Sequence, residues 1–113
     1  MDDILHLKLP VQGSPDEALP VIEEIITSFI QKKKTLHFFI GQSLDLTSTK
    51  EKHGCHAVVN LYNSRNAHDV RHLEFLLLKE FYRNDKNLNL EARSGEDISD
   101  KSMNYLYLAL WFK

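Results

Sequence analysis

The stretch HFFIGQSLDLTSTKEKHG, from His37 to Gly54, contains the change of pattern that decides the fold. Its apolar start predicts a short strand over Leu36–Ile40 that ends at Gly41. The polar residues that follow predict a short helix, which has Asp45 or Thr47 as its N-cap and runs to about Lys52. The stretch therefore joins a buried strand to a short surface helix.

The segments on the C-terminal side predict a second strand over Ala57–Tyr62 and a helix over Ala67–Tyr82, the clearest helical pattern in the chain. Residues Asn84–Ser102 are polar and predict a loop, and Asn104–Phe112 predicts a closing strand. This order predicts a small α/β (α+β) fold, in which helices cover a sheet of three to four strands.

The N-terminal side opens with apolar and polar residues in alternation, which predict a strand over Leu5–Leu9. Ser14 and Glu17 have the spacing of a capping box, and Pro15 suits the first helical position. Because Pro20 would interrupt a helix already under way, we expect that first turn to be separate and the main helix to begin near Pro20.

The composition fits one soluble domain over residues 1–113, since 42% of the residues are hydrophobic and 27% are charged. The single cysteine, Cys55, excludes an internal disulfide and favours a reducing compartment. The start of the chain has no basic region followed by an apolar run, and no stretch has the apolar length of a membrane span. These features predict a cytoplasmic or nuclear protein that has no membrane partner.

The charge is balanced, with a formal net charge of -2 and a sequence pI of about 6.3. A global basic field that would attract nucleic acid is therefore absent, and any such contact must come from a local patch. Lys32–Lys34 and the pair Lys50 and Lys52 are the candidates, although runs of this kind are also typical of solvated surface.

Glu74 occupies an unusual place on the predicted helix Ala67–Tyr82. At about 100° per residue it falls on the apolar face, between Val70 and Leu77 or Leu78. Burying an unpaired carboxylate costs several kcal/mol, so a buried Glu74 needs a cationic partner, a tyrosine hydroxyl or a metal ion. Alternatively, Glu74 lies at the edge of the apolar face and reaches water.

Several short motifs together resemble the GIY-YIG nuclease superfamily. Phe39-Ile40-Gly41 resembles the second half of the family's name motif, within the run FIGQSLDL. By order and spacing, His53 matches the family's histidine, Glu74 its metal ligand and Asn89 its late asparagine. The resemblance covers Leu36 to Asn89, roughly half of the chain, and implies a single GIY-YIG-like domain.

The resemblance implies a metal-dependent endonuclease that cleaves phosphodiester bonds of nucleic acid. In this scheme Glu74 holds Mg²⁺ or Mn²⁺ and His53 assists proton transfer, while Lys50 acts as a point charge at the phosphate. Lys50, Lys52 and Asn89 would contact the nucleic acid.

The departures from the family pattern predict weakened or lost catalysis. Thr49 stands where the family has arginine, and Phe39 stands where it has a tyrosine hydroxyl. No Gly-Ile-Tyr strand precedes Leu36. A rearranged topology would let the closing strand bring Tyr105 and Tyr107 to the catalytic site as substitutes.

The alternative is a non-catalytic binding module of the same fold, with an inhibitory, immunity or regulatory role and a protein or nucleic-acid partner. The aromatic closing strand also predicts an edge through which two copies would form a homodimer.

Histidine and cysteine residues offer a further alternative, a zinc site. His53, Cys55 and His56 lie close together in sequence, and His68 and His72 are one helical turn apart. A strand through the triplet would turn His56 to the face opposite Cys55, which disfavours a shared metal. A lone cysteine such as Cys55 is more typical of small core filling than of a nucleophile.

Overall fold

The computed structural model describes residues 10–88 and 102–113. Within them the chain forms three helices and three strands, in the order α1 (Pro15–Ile30), β1 (Thr35–Ser43), α2 (Leu46–His53), β2 (Ala57–Ser64), α3 (Ala67–Phe81) and β3 (Asn104–Phe112). The predicted α+β class is confirmed. The predicted strand Leu5–Leu9, residue Asn89 and most of the predicted loop Asn84–Ser102 lie outside the described residues.

The sheet has the strand order β1-β3-β2, and both neighbouring pairs are antiparallel. The C-terminal strand is therefore central, with Tyr107 opposite Gly41 of β1 on one side and Asn60 of β2 on the other. Since both edges of β3 are paired, this strand has no free edge through which to dimerise. A homodimer would need another surface.

The two faces of the sheet are covered unequally. Leu106, Leu108 and Leu110 of β3 are fully buried in the main core, which α1 and α3 complete. The intervening residues of β3 point the other way, because side chains alternate along a strand. There Tyr107 and Ala109 pack in a smaller cluster with Leu46 of α2. The long helices thus cover one face, and the eight-residue helix α2 covers the other.

Helix α1 confirms the predicted capping box and the position of Pro15, but the predicted start near Pro20 is wrong. The helix runs unbroken through Pro20, which is exposed. Proline removes the hydrogen bond that the carbonyl of Asp16 would accept, and Asp16 is itself exposed, so water can replace that bond. Ala18 and Ile22 on either side are fully buried, and their packing holds the helix together.

Strand β1 continues beyond the predicted end at Gly41 and reaches Ser43. The helix that follows has Asp45 as its N-cap, which is one of the two residues predicted for this position. Its C-cap is Gly54, whose backbone is left-handed with φ 63°. The described part of the chain contains no helix that is long and apolar enough to cross a membrane.

Candidate functional site

His53 and Tyr107 meet on the face of the sheet that α2 covers. The Nε2 atom of His53 lies 2.8 Å from the hydroxyl oxygen of Tyr107, which is a hydrogen-bond distance. His53 is the last residue of α2, and the left-handed turn at Gly54 follows it at once. Tyr107 is completely buried in the central strand. The contact joins α2 to the middle of the sheet.

Gly41 makes this contact possible. It is the cross-strand partner of Tyr107, and a β-carbon on it would lie 2.6 Å from the tyrosine hydroxyl oxygen and 2.8 Å from Cζ. The tyrosine ring therefore lies across the backbone of β1, where only glycine leaves room. The glycine of the Phe-Ile-Gly motif therefore makes room for the ring of Tyr107 on the neighbouring strand. The prediction that the strand ends at Gly41 is wrong, because β1 runs to Ser43.

Aromatic rings surround the imidazole of His53. The Phe39 ring lies 4.7 Å from it, and the Trp111 ring meets it edge-on at 6.0 Å, between ring centroids. Phe39 also stacks with Tyr107 at 6.2 Å. These contacts stabilise one position of the imidazole by packing. The His53–Tyr107 hydrogen bond can carry a proton between the two side chains. It also holds α2 against the sheet.

Thr49, at the family's arginine position, is a buried structural residue. Its hydroxyl oxygen lies 2.5 Å from Oγ of Ser43 and 2.9 Å from the carbonyl oxygen of Asp45. These contacts fix the turn between β1 and α2. A guanidinium would not fit in this buried position without rearranging the turn, so the structure provides no cation here.

The two predicted lysines lie outside this aromatic cluster. Lys50 and Lys52 are exposed on α2, and Lys50 lines an open groove of about 620 Å³ between α2 and β2. The same groove is lined by Asn60, whose buried Oδ1 has no hydrogen-bond partner within the described part of the chain. Tyr105 is half-buried and, by alternation along β3, lies on the same face as Tyr107.

Glu74 lies on the opposite side of the sheet. It is 3% exposed and belongs to the face of α3 that packs into the main core, so the alternative in which it reaches water is wrong. The buried side chains of Gln42 and Asn104 share that face of the sheet, because Gln42 pairs with Leu106 and Asn104 precedes Leu106 by two residues. Glu74 and these two amide side chains thus lie on the same side of the sheet. The structure does not bring Glu74 to His53.

The geometry does not fit the implied metal. Mg²⁺ retains several of its waters and needs an accessible carboxylate, whereas Glu74 is sealed beneath α3. Nor do residues 10–88 and 102–113 contain any group of three His, Cys, Asp or Glu side chains that could hold a metal ion. In the proposed zinc cluster, Cys55 is buried and Nδ1 of His56 accepts a hydrogen bond from the backbone N–H of Phe112.

The aromatic cluster around His53 is the feature that the sequence analysis missed. Its signal is the alternation of Tyr105, Tyr107 and Trp111 with Leu106, Leu108 and Leu110 along β3, which places three large rings on one face. Only the two tyrosines entered the prediction. Phe39 belongs to the same cluster because β1 lies beside β3.

Comparisons with known proteins leave the GIY-YIG resemblance as a hypothesis. No family model matches the chain, and the searches of curated proteins and of solved structures gave no match. Functional interpretation therefore depends on the geometry of the chain's own residues.

Proposed function

We propose that this chain is a non-catalytic binding module whose fold resembles that of a GIY-YIG domain with lost catalysis. The observation that carries the proposal is the placement of Glu74 and the His53–Tyr107 pair on opposite faces of one sheet. A hydrolytic centre must hold the metal, the phosphate and the proton-transfer group within a few ångströms of one another. A continuous sheet between the carboxylate and the imidazole prevents this.

The other predicted catalytic contributions are also missing from the His53 side. Thr49 supplies no positive charge, and Phe39 supplies no hydroxyl. Lys50 is exposed and offers only a mobile point charge. In the proposed module, the His53–Tyr107 contact and its aromatic neighbours hold α2 on the sheet, and the function belongs to surfaces that contact a partner.

A cleavage assay tests this proposal. The wild-type chain, Glu74→Gln and His53→Gln are incubated with supercoiled DNA and with RNA in Mg²⁺ or Mn²⁺. We expect no cleavage above the buffer level and no difference among the three proteins. Mn²⁺-dependent cleavage by the wild type that disappears in both variants would overturn the proposal.

A metal-dependent endonuclease with weakened catalysis is the second candidate, and the short His53–Tyr107 distance favours it. A histidine that is hydrogen-bonded to a tyrosine hydroxyl can act as a proton-transfer pair. This candidate requires a conformation in which Glu74 leaves the core. It therefore predicts that activity, where measured, increases under mildly destabilising conditions before the chain unfolds.

A further inference from the structure

The outer face of α3 carries positive charge and exposed aromatic rings without acidic residues. At about 100° per residue, six exposed side chains fall within an arc of about 100° on this helix. We call them the outer face of α3: His68, Arg71, His72, Phe75, Lys79 and the C-cap residue Tyr82. The arc lies opposite the buried residues of the helix, so it points away from the sheet.

The acidic residues of α3 all lie elsewhere. Asp69 and Glu80 fall on the flank of the helix, and Glu74 points into the core. Glu80 lies near Glu23 of α1, since its charge contributes to the raised pKa of Glu23 after the larger effect of burial. The helix thus keeps its negative charge toward α1 and the core, and its positive charge outward.

The cations on this face are not neutralised by any acidic side chain in the part of the chain that the structure describes. Among the described residues, no carboxylate forms an ion pair with Arg71 or Lys79. Between them lies Phe75, which is 51% exposed and the most exposed large apolar side chain of the described residues. A half-exposed phenyl ring with cations at its rim has the composition of a protein–protein contact, where aromatic residues and arginine are enriched.

We propose that the outer face of α3 binds a protein segment that presents an apolar side chain flanked by carboxylates. The apolar side chain would pack on Phe75, and the carboxylates would pair with Arg71 and Lys79. This inference rests on the proposed function, because it names the partner class of a binding module.

Charge decides against nucleic acid as the partner. The face contributes two side chains that are always charged, Arg71 and Lys79, on a chain whose formal net charge is -2. Tight non-specific binding of nucleic acid requires several simultaneous phosphate contacts and a predominantly basic surface. Two cations around an exposed ring suffice for a carboxylate-bearing peptide.

The probe is a displayed library of random peptides of about 16 residues, selected on the immobilised full chain. We expect the enriched peptides to contain Asp or Glu beside a large apolar residue. Their affinity, measured by fluorescence anisotropy on synthetic copies, should fall at least tenfold, about 1.4 kcal/mol, in Phe75→Ala and in Arg71→Glu combined with Lys79→Glu.

Matched variants control for loss of exposed apolar area and for the change of net charge. Leu44→Ala removes a leucine that is 42% exposed, and Lys33→Glu with Lys113→Glu reverses two exposed cations elsewhere. Both controls should bind the peptides as the wild type does, and circular dichroism should show the same fold in every variant.

Three results would overturn the inference: no enrichment of acidic peptides, enriched peptides that bind the α3 variants normally, or equal weakening in the control variants. A fourth is tighter binding of a single-stranded oligothymidine than of any peptide, with the same sensitivity to the α3 variants, which would make the surface a nucleic-acid contact. Cleavage activity is measured separately, so failure of the non-catalytic proposal remains distinguishable from failure of this one.

Discussion

The layers that cover the two faces of the sheet differ in thickness and in the side chains that they bury. Under α1 and α3 lies the main core, which is leucine- and isoleucine-rich and encloses one carboxylate, Glu74. Under α2 lies a small cluster built from aromatic rings and one imidazole, His53. We call the first the thick face and the second the thin face; Glu74 of the family resemblance lies on the thick face, and His53 lies on the thin face.

This difference shows that motifs in the expected order along the sequence need not lie close together in the fold. His53 and Glu74 follow each other in the order that the family requires, yet the helices that carry them pack on opposite faces. Motif residues can act together only when the helices that carry them pack on the same face of the sheet. The connections between strands and helices determine that face.

The largest expected effect is on the free energy of unfolding, which should fall more when a side chain is removed from the thick face than from the thin face. Leu77→Ala on α3 removes a fully buried side chain and should lower the free energy of unfolding by about 2–5 kcal/mol. Leu46→Ala on α2, where the residue is half-buried, should cost less than about 1.5 kcal/mol. Urea unfolding of both variants measures the difference, and equal losses would contradict the thick and thin description.

Gly41 tests how the thin face is built. Gly41→Ala places a β-carbon 2.6 Å from the hydroxyl oxygen of Tyr107, and should lower stability by about 1–3 kcal/mol through this overlap. Urea unfolding of Gly41→Ala, Tyr107→Leu and the double variant gives the coupling energy. If the two losses simply add, the tyrosine ring does not lie across this glycine.

The His53–Tyr107 contact should have a smaller effect. Tyr107→Phe removes the hydroxyl that lies 2.8 Å from Nε2, and we expect a loss of about 0.5–1.5 kcal/mol. The same substitution in a His53→Phe background should cost less, because the partner is already absent. Chemical denaturation of the four proteins provides this cycle, and zero coupling would mean that the two side chains do not interact.

Asp45 makes the thin face sensitive to acid. Hydrogen bonds from the hydroxyl and backbone N–H of Ser48 lower the pKa of the Asp45 carboxyl below its ordinary value of 3.8. A lowered pKa in the folded state stabilises the fold above that ordinary value, and the stabilisation disappears as pH falls through the lowered value. We therefore expect the stability difference between the wild type and Asp45→Ala to be present near pH 7 and to shrink below about pH 4.

Asp45→Asn separates the cap from its charge, because asparagine also serves as an N-cap. Its stability should fall between those of the wild type and Asp45→Ala in thermal melts near neutral pH. A difference between wild type and Asp45→Ala that stays constant down to about pH 2 would contradict the role of the ionised carboxyl.

Glu23, on the side of α1 and α3, should change the stability with pH in the direction opposite to Asp45, and by the smallest amount. Burial and then the charge of Glu80 raise its pKa above the ordinary value of 4.5. Ionisation therefore destabilises the folded state, with a penalty that appears above 4.5 and is full above the raised value. Glu23→Gln should raise Tm slightly near pH 7 and leave it unchanged near pH 3, whereas a lower Tm near neutral pH would contradict this sign.

The sequence predicted the local structure well and the spatial arrangement poorly. The capping box of Ser14 and Glu17, the helix over Ala67–Tyr82 and the place of Glu74 on the apolar face of that helix follow from patterns within single elements. Pro20 was misjudged because an exposed proline near a helix start loses one hydrogen bond that water can replace.

Periodicity could not predict the relation between His53 and Glu74. A repeat of 3.6 residues tells which side of a helix is buried, but not which face of the sheet buries it. The central position of β3 brings Tyr107 to His53, and the same sheet separates both from Glu74.

The most direct test of the account is a Mn²⁺ titration followed by NMR on the ¹⁵N-labelled chain, since the paramagnetic ion broadens the signals of nearby amides. The account predicts that any broadening at His53 comes from exposed acids nearby, such as Glu51 two residues earlier, and is the same in Glu74→Gln as in the wild type. Saturable broadening of Glu74 and His53 that disappears in Glu74→Gln would place one metal within reach of both residues, and would contradict the separation of the two by the sheet.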